Sequence, residues 1–315
     1  MKTKESRAKT SLRDYIYQFA FSPTHWYAAC ASGLYYSQDK GSSWRIAYDS
    51  LSLKEPLPTL CVVAPIGSDG DPLIFAGLNG GILRSEDNGQ TWQSLPLPSH
   101  SRTITSLVPS PDFTHDGILL AGSVGTGILL YKSDGSDLTM WNFGLLDHEV
   151  LCLSASPSFA RDRIIYAGVQ SGLFMSGNCG RSWKDIDLPI GYEPVLSLAI
   201  SPNFTKDGTL YIGTEGKGLF RSTDQGGSWQ RLGEKELVAP INAILLSSNP
   251  PDESGMLVLH GGELLTSSDT GDSWDRWDKE GSAEKDVTAV LAPQGLHADQ
   301  PLLVGYINGE IRLCE

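Results

Sequence analysis

Ser222-Thr223-Asp224-Gln225-Gly226-Gly227-Ser228-Trp229 decides how this chain folds, because it is one of six copies. The pattern Ser-x-Asp-x-Gly-x-Ser/Thr-Trp also runs from Ser37 to Trp44, from Ser85 to Trp92 and from Ser267 to Trp274. From Ser176 to Trp183, Asn178 takes the acidic place, and a loosened copy runs from Ser133 to Trp141. The copies begin at 37, 85, 133, 176, 222 and 267, so they are 43 to 48 residues apart. A fixed period of that size marks a repeat architecture, in which each unit buries its apolar face against its neighbours.

A second marker keeps the same time. Prolines 23, 65, 111, 157, 202, 250 and 293 each follow a short apolar run. The segment Asn308–Cys314 matches Gly261–Ser267, so Cys314 stands where a seventh copy would have its serine. The chain therefore holds seven units, the last cut short.

One unit resolves into strands. Val195–Ile200, Thr209–Gly213, Gly218–Ser222 and Ser228–Leu232 are short β-rich runs separated by turn residues. Four antiparallel strands in about 45 residues make one propeller blade. The expected fold is all-β, a single domain over 1–315 forming a seven-bladed β-propeller of four-stranded antiparallel blades. The blades fall at about 15–50, 57–98, 102–145, 148–190, 193–234, 239–280 and 286–315. Residues 6–13 of the N-terminal segment complete the last one and remove an exposed edge.

The motif reads as a latch on the turn between the third and fourth strands. Its members are Asp39, Trp44, Asp87, Trp92, Trp141, Asn178, Trp183, Asp224, Trp229, Asp269 and Trp274. Asp or Asn accepts backbone N–H groups two residues on, glycine allows positive φ, Ser or Thr adds a local bond, and tryptophan covers the blade edge. Phe113, Phe159 and Phe204 recur between first and second strands and are expected to plug into the adjacent blade, with Asp116, Asp162 and Asp207 closing those loops.

The 315 residues carry a net charge of −13, which favours solubility and disfavours nucleic acid and anionic membrane as partners. No apolar run reaches the ~18 residues needed to span a bilayer, and residues 1–14 do not read as a secretory signal. The five cysteines, 30, 61, 152, 179 and 314, show no C-x-x-C spacing and read as buried thiols of a reducing, cytoplasmic compartment. No copy of the motif has the closing glutamate of a calcium loop, and the histidines lack zinc spacing, so neither metal nor cofactor is expected.

The motif resembles the Asp-box, or BNR repeat, of sialidase-like β-propellers, over about Tyr15 to Glu315. In layout the chain is most similar to the photosystem II assembly-factor-like propellers. That resemblance implies an active face opposite the Asp-boxes, with three arginines, a Tyr/Glu pair and an Asp in the sialidases. Here Tyr15-Ile16-Tyr17-Gln18 replaces the family's Phe/Tyr-Arg-Ile-Pro, and Arg84 and Arg221 are repeat-equivalent, so the arginine triad is not assembled and no catalytic residue is assigned. The same placement puts Arg102, Asp147, His148, Glu149, Tyr192, Glu193, Glu215, Lys217, His260, Glu263, Asp286 and Glu310 on that face as a candidate binding surface. Paired carboxylates there could serve glycoside hydrolysis, or form a solvated acidic rim.

The reading favoured is a non-enzymatic protein–protein interaction scaffold, a subunit or assembly factor whose partner is another protein with a basic segment. The alternatives are a sialidase-like glycoside hydrolase and a propeller that binds a glycan or small ligand, with Asn242 and Thr288 converging on the central channel.

Overall fold

A computed structural model describes residues 9–97, 103–134, 138–238, 240–247, 255–277, 285–297 and 300–314. They form seven sheets of four antiparallel strands each, arranged as blades of a ring. Six blades take their strands consecutively, as blade 5 does from Val195–Ile200, Leu210–Thr214, Leu219–Ser222 and Gln230–Leu232. Blade 7 takes three strands, Val287–Leu291, Leu302–Tyr306 and Glu310–Cys314, from the C-terminal end and its fourth, Lys9–Ser11, from the N-terminal end. Lys9 pairs with Arg312 and Ser11 with Glu310, so the ring is clasped by its two ends.

Blades 1 to 6 meet largely through their first strands, and blade 1 meets blade 7 in the same way, whereas blade 6 meets blade 7 through its second strand. Every first strand carries a register shift at its second residue, from Ile16/Gln18 in blade 1 to Val287/Ala289 in blade 7. Such a bulge bends the strand and increases its twist. In blades 1, 2, 4 and 5 the residue after the bulge then reaches across the seam, and in blade 3 the bulge residue does, Thr105 Oγ1 donating to Val150 O at 2.6 Å. Ser197 Oγ donates to the Ile241 carbonyl at 2.7 Å, Cys152 Sγ to Val195 O at 3.3 Å and Cys61 Sγ to Ile104 O at 3.7 Å. Blade 1 uses Gln18 instead, whose Oε1 accepts from Val62 N at 2.9 Å. The seam is tight: a Cβ on Gly213 would sit 2.6 Å from the Ile241 Cβ and would collide with Ser197 Oγ.

The repeated motif closes the turn at the outer end of the third strand. In blade 1, Asp39 Oδ1 accepts from Ser43 N at 2.8 Å and from Ser37 Oγ at 2.8 Å, while Oδ2 accepts from Ser43 Oγ at 2.6 Å. Blades 2, 5 and 6 repeat this on Asp87, Asp224 and Asp269. The side chain thus caps the residue four positions on, and not the one two positions on that the sequence suggested. The Ser37 hydroxyl oxygen in turn accepts from Gly41 N at 2.8 Å. The motif glycine has positive φ in each close copy, 85° at Gly41 and 94° at Gly226, where a side chain would be strained.

In blades 2 and 4 the tryptophan N–H joins the motif to the preceding blade, whereas Trp44 and Trp274 donate to the glycine of their own motif. Trp92 Nε1 donates to Ala47 O of blade 1 at 2.8 Å, and Trp183 Nε1 to Trp141 O of blade 3 at 2.7 Å. The loosened copy in blade 3 corrects the sequence alignment. Leu119 pairs with Tyr131, as Ile165 pairs with Ser176 and Leu210 with Ser222. Tyr131 therefore holds the serine position and Leu138 the tryptophan position, both buried. Trp141 lies three residues further on, where it receives the neighbouring blade's indole instead of supplying one. In blade 7, Leu302 pairs with Cys314, which does hold the serine position.

The loops between first and second strands of blades 3, 4 and 5 each contain one turn of helix, Phe113–Asp116, Phe159–Asp162 and Phe204–Asp207. Each phenylalanine is buried, and Phe113 and Phe204 pack edge-on against Phe75 and Tyr166 of the preceding blades. The aspartate closes the loop, as Asp116 Oδ2 accepts from Ser110 Oγ at 2.6 Å and Oδ1 from Ile118 N at 2.9 Å. No helix among the described residues is long and apolar enough to cross a membrane.

Candidate binding face

Strand order fixes two faces. Motif turns and first-to-second loops emerge on one. The turns between second and third strands, and the links from each fourth strand to the next blade, emerge on the other. The described candidate residues lie on this second face, because they belong to such turns and links or, as His260, Glu263 and Glu310 do, to the strand ends beside the turns. Arg102 falls outside the described residues.

Within each blade, link and turn are tied together, and acidic side chains provide much of the tie. Asp147 Oδ1 accepts from Glu149 N at 2.9 Å and its Oδ2 from Ser171 N at 2.8 Å. Glu193 Oε1 accepts from Gly216 N at 2.5 Å. Asp14, which sequence reasoning missed, does the same in blade 1, with Oδ1 on Tyr15 N at 2.8 Å and Oδ2 on Ser32 N at 2.5 Å. The signal was available: an acidic residue stands one to three places before the first strand at Asp14, Asp147, Glu193 and Asp286.

Backbone pairs complete the arrangement. His148 O accepts from Gly125 N at 3.0 Å, Glu149 O from Gln170 N at 3.1 Å, Pro194 O from Glu215 N at 3.0 Å and Asp286 O from Ile307 N at 2.9 Å. Lys217 N donates to Thr214 Oγ1 at 3.0 Å, leaving Glu215 and Lys217 with exposed side chains. Glu263 forms an ion pair with Arg276 at 3.3 Å. His260 ends the second strand of blade 6, where partial burial pushes its imidazole below the usual range, against a smaller upward pull from Glu263. Glu310 is nearly buried and paired with Arg312.

These groups are therefore distributed around the ring in separate link-and-turn ties. A cavity of about 260 Å³ lies between blades 5 and 6 among Asp207, Tyr211, Arg221 and Thr270, and none of the candidate residues lines it. At the channel, Asn242 is exposed, whereas the Thr288 hydroxyl turns back to Gly305 O at 3.4 Å. No group of three or more His, Cys, Asp or Glu that could hold a metal ion occurs among the described residues.

No family model matches this chain, and no curated protein matches it in sequence. Solved structures do match in fold. The extracellular domain of BT4673 from B. thetaiotaomicron superposes with a TM-score of 0.71 at 17% identity, over 95% of this chain and 38% of that one. The GH74 xyloglucanase from Xanthomonas campestris gives 0.70 at 16%, over 97% of this chain and 53% of that one. An ancestral GH74 enzyme gives 0.74 at 18%, over 93% and 44%. The chain thus spans 38–53% of the length of these structures, and the likeness is one of fold.

Proposed function

We propose that this propeller is a non-enzymatic scaffold that binds another protein, as a subunit or assembly factor of a larger complex. The observation that carries this reading is the use made of the carboxylates. Asp147, Glu193 and Asp14 hold turns, and Glu263 and Glu310 are ion-paired, so five of the face's carboxylates are spent on shaping loops and ion pairs. A rigid frame with variable loops is a surface suited to recognition. The motif geometry, with its aspartate cap and seam-crossing indole, supports reading it as an Asp-box that serves architecture. The five cysteines, none of them in a disulfide, support placement in a reducing, cytoplasmic compartment, a point that fractionation of the native host would check. The scaffold reading is tested by affinity purification of the tagged full chain after mild crosslinking. One or a few stoichiometric proteins should be retained. Recovery of the bare chain under all salt conditions would sink the proposal.

A second reading is favoured by the GH74 neighbours: a glycoside hydrolase. The carboxylates of Glu149 and Glu215, like that of Asp286, take no part in the ties described, and Glu149 and Glu215 are taken as the acid/base pair. Xyloglucan, aryl glycosides and sialosides provide the assay. Turnover that disappears in Glu149→Gln and Glu215→Gln would replace the scaffold reading with this one. Turnover unchanged by both would remove them as the catalytic pair.

A further inference from the structure

Resting on the scaffold reading, we infer where the partner docks and what chemistry it presents: a segment of another protein carrying lysine or arginine beside apolar side chains, laid across the links that enter blades 4, 5 and 6. Large apolar side chains are unusually exposed there. Tyr192 is 91% exposed, Leu146 84%, Phe143 80% and Val238 60%. All four lie in three consecutive links, spanning 141–149, 187–194 and 233–240. Each link has a neighbouring leucine that is buried, namely Leu145, Leu188 and Leu237, so the link is pinned and its exposed side chain is held out on a fixed backbone. Water gains nothing from such a display, and large apolar side chains exposed among polar ones are a common mark of an interaction surface.

Charge selects the occupant. Among the described residues, these links and the turns beside them carry seven carboxylates, Asp147 to Glu236, against Lys217 and Lys235. Over the full sequence, the corresponding segments of the other four blades also carry seven carboxylates, Asp14, Asp49, Glu55, Asp278, Glu280, Glu284 and Asp286, but against five cations, Arg13, Lys54, Arg102, Lys279 and Lys285, a net of −2 against −5. The exposed apolar side chains and the larger negative excess therefore fall on the same three links. An anionic bilayer would be repelled by it. A second copy would bring like charge against like charge. A basic and apolar protein segment satisfies both parts at once, its cations held by Asp187, Glu215, Glu234 and Glu236, which are all exposed.

The test uses the full chain and a fluorescent peptide of alternating lysine and leucine, with a glutamate–leucine peptide of equal length as control. Fluorescence anisotropy should show binding of the basic peptide only, weakening as salt rises. Two variants address the site: Leu146→Ser with Tyr192→Ser, and Asp187→Asn with Glu215→Gln. Each should weaken binding about ten-fold, while Leu53→Ser with Glu55→Gln, on the link from blade 1 to blade 2, should leave it unchanged. Thermal melts confirm folding, which substitutions at exposed side chains should preserve. No binding, equal binding of both peptides, or an effect confined to the Leu53 and Glu55 variant would each overturn the assignment. The crosslinked purification separates this from the broader reading. A partner kept by wild type and lost by the Leu146 and Tyr192 variant supports both. A partner kept by both proteins leaves the scaffold standing and removes this docking site.

Discussion

Asp39 shows how much one carboxylate does at the residue scale. Its two oxygens accept from two hydroxyls and a backbone N–H, and these bonds pull its pKa down to about 2, as they do for Asp224. The sign follows from that depression. Ionised in the fold at a pH where the unfolded chain is already protonated, each motif aspartate adds stability that is fully present above the unfolded value of about 3.9 and lost as pH falls towards 2. Blade 4 is the natural control. Asn178 Oδ1 accepts from Ser182 N at 2.9 Å, and its Nδ2 donates to Ser182 Oγ at 2.8 Å, so the hydroxyl reverses its role and no charge is needed. The double variant Asp39→Asn and Asp224→Asn should therefore fold, and its melting temperature should fall less steeply than wild type between pH 4 and 2. An unchanged slope would show that the motif bonds do not discriminate between native and unfolded chains. The indoles act through burial. Trp183 is 6% exposed and bonded across the seam, so Trp183→Ala should cost about 3–5 kcal/mol in urea unfolding, and Trp44→Ala, at a half-buried site, clearly less.

At the scale of the strand, the inner seams of blades 2, 4 and 5 each use one small donor after the bulge, Cys61, Cys152 or Ser197. Ser197→Ala should cost about 1 kcal/mol, since it leaves the Ile241 carbonyl without its partner. Ser197→Cys should be nearly neutral, because Cys61 and Cys152 already occupy the equivalent place with thiols that burial pushes up to about 12. Gly213→Ala should cost about 2 kcal/mol, because the seam has no room for a methyl group. Denaturant titration of the three variants gives that order, and a tolerated Gly213→Ala would contradict the packing described. The sequence made strands, turns and motif positions legible, because the period, the prolines and the Ser-x-Asp spacing report on local structure. It did not make the seams legible. Blade 3 shows why: Ser133 and Trp141 look like motif residues by type, yet Tyr131 and Leu138 hold those positions by strand pairing. The bulge at Tyr17, Leu60 or Thr105 has no residue signature at all, so the shared role of Cys61, Cys152 and Ser197 stayed hidden. The candidate face was legible as a face, since strand order alone assigns turns and links to it. Its chemistry was not, because the same carboxylate letter serves as a loop tie at Glu193 and as an exposed charge at Glu215.

For the whole molecule, the decisive element is the three-residue strand Lys9–Ser11. Deleting residues 1–11 would leave Glu310–Cys314 as a bare edge in the ring. That variant should melt at a lower temperature and aggregate with rising concentration, read by differential scanning fluorimetry and light scattering. A deletion that melts like wild type and stays monodisperse would mean that the clasp contributes nothing. The register of the clasp carries a mechanical corollary. Lys9 faces Arg312 and Ser11 faces Glu310, so both chain ends leave the pair on the same side. A force that draws those ends apart would load the hydrogen bonds one after another, as a zipper does, and never all together in shear. Tugged by its ends, the toroid would part at this junction under small loads, and each remaining sector would be exposed to peeling in turn.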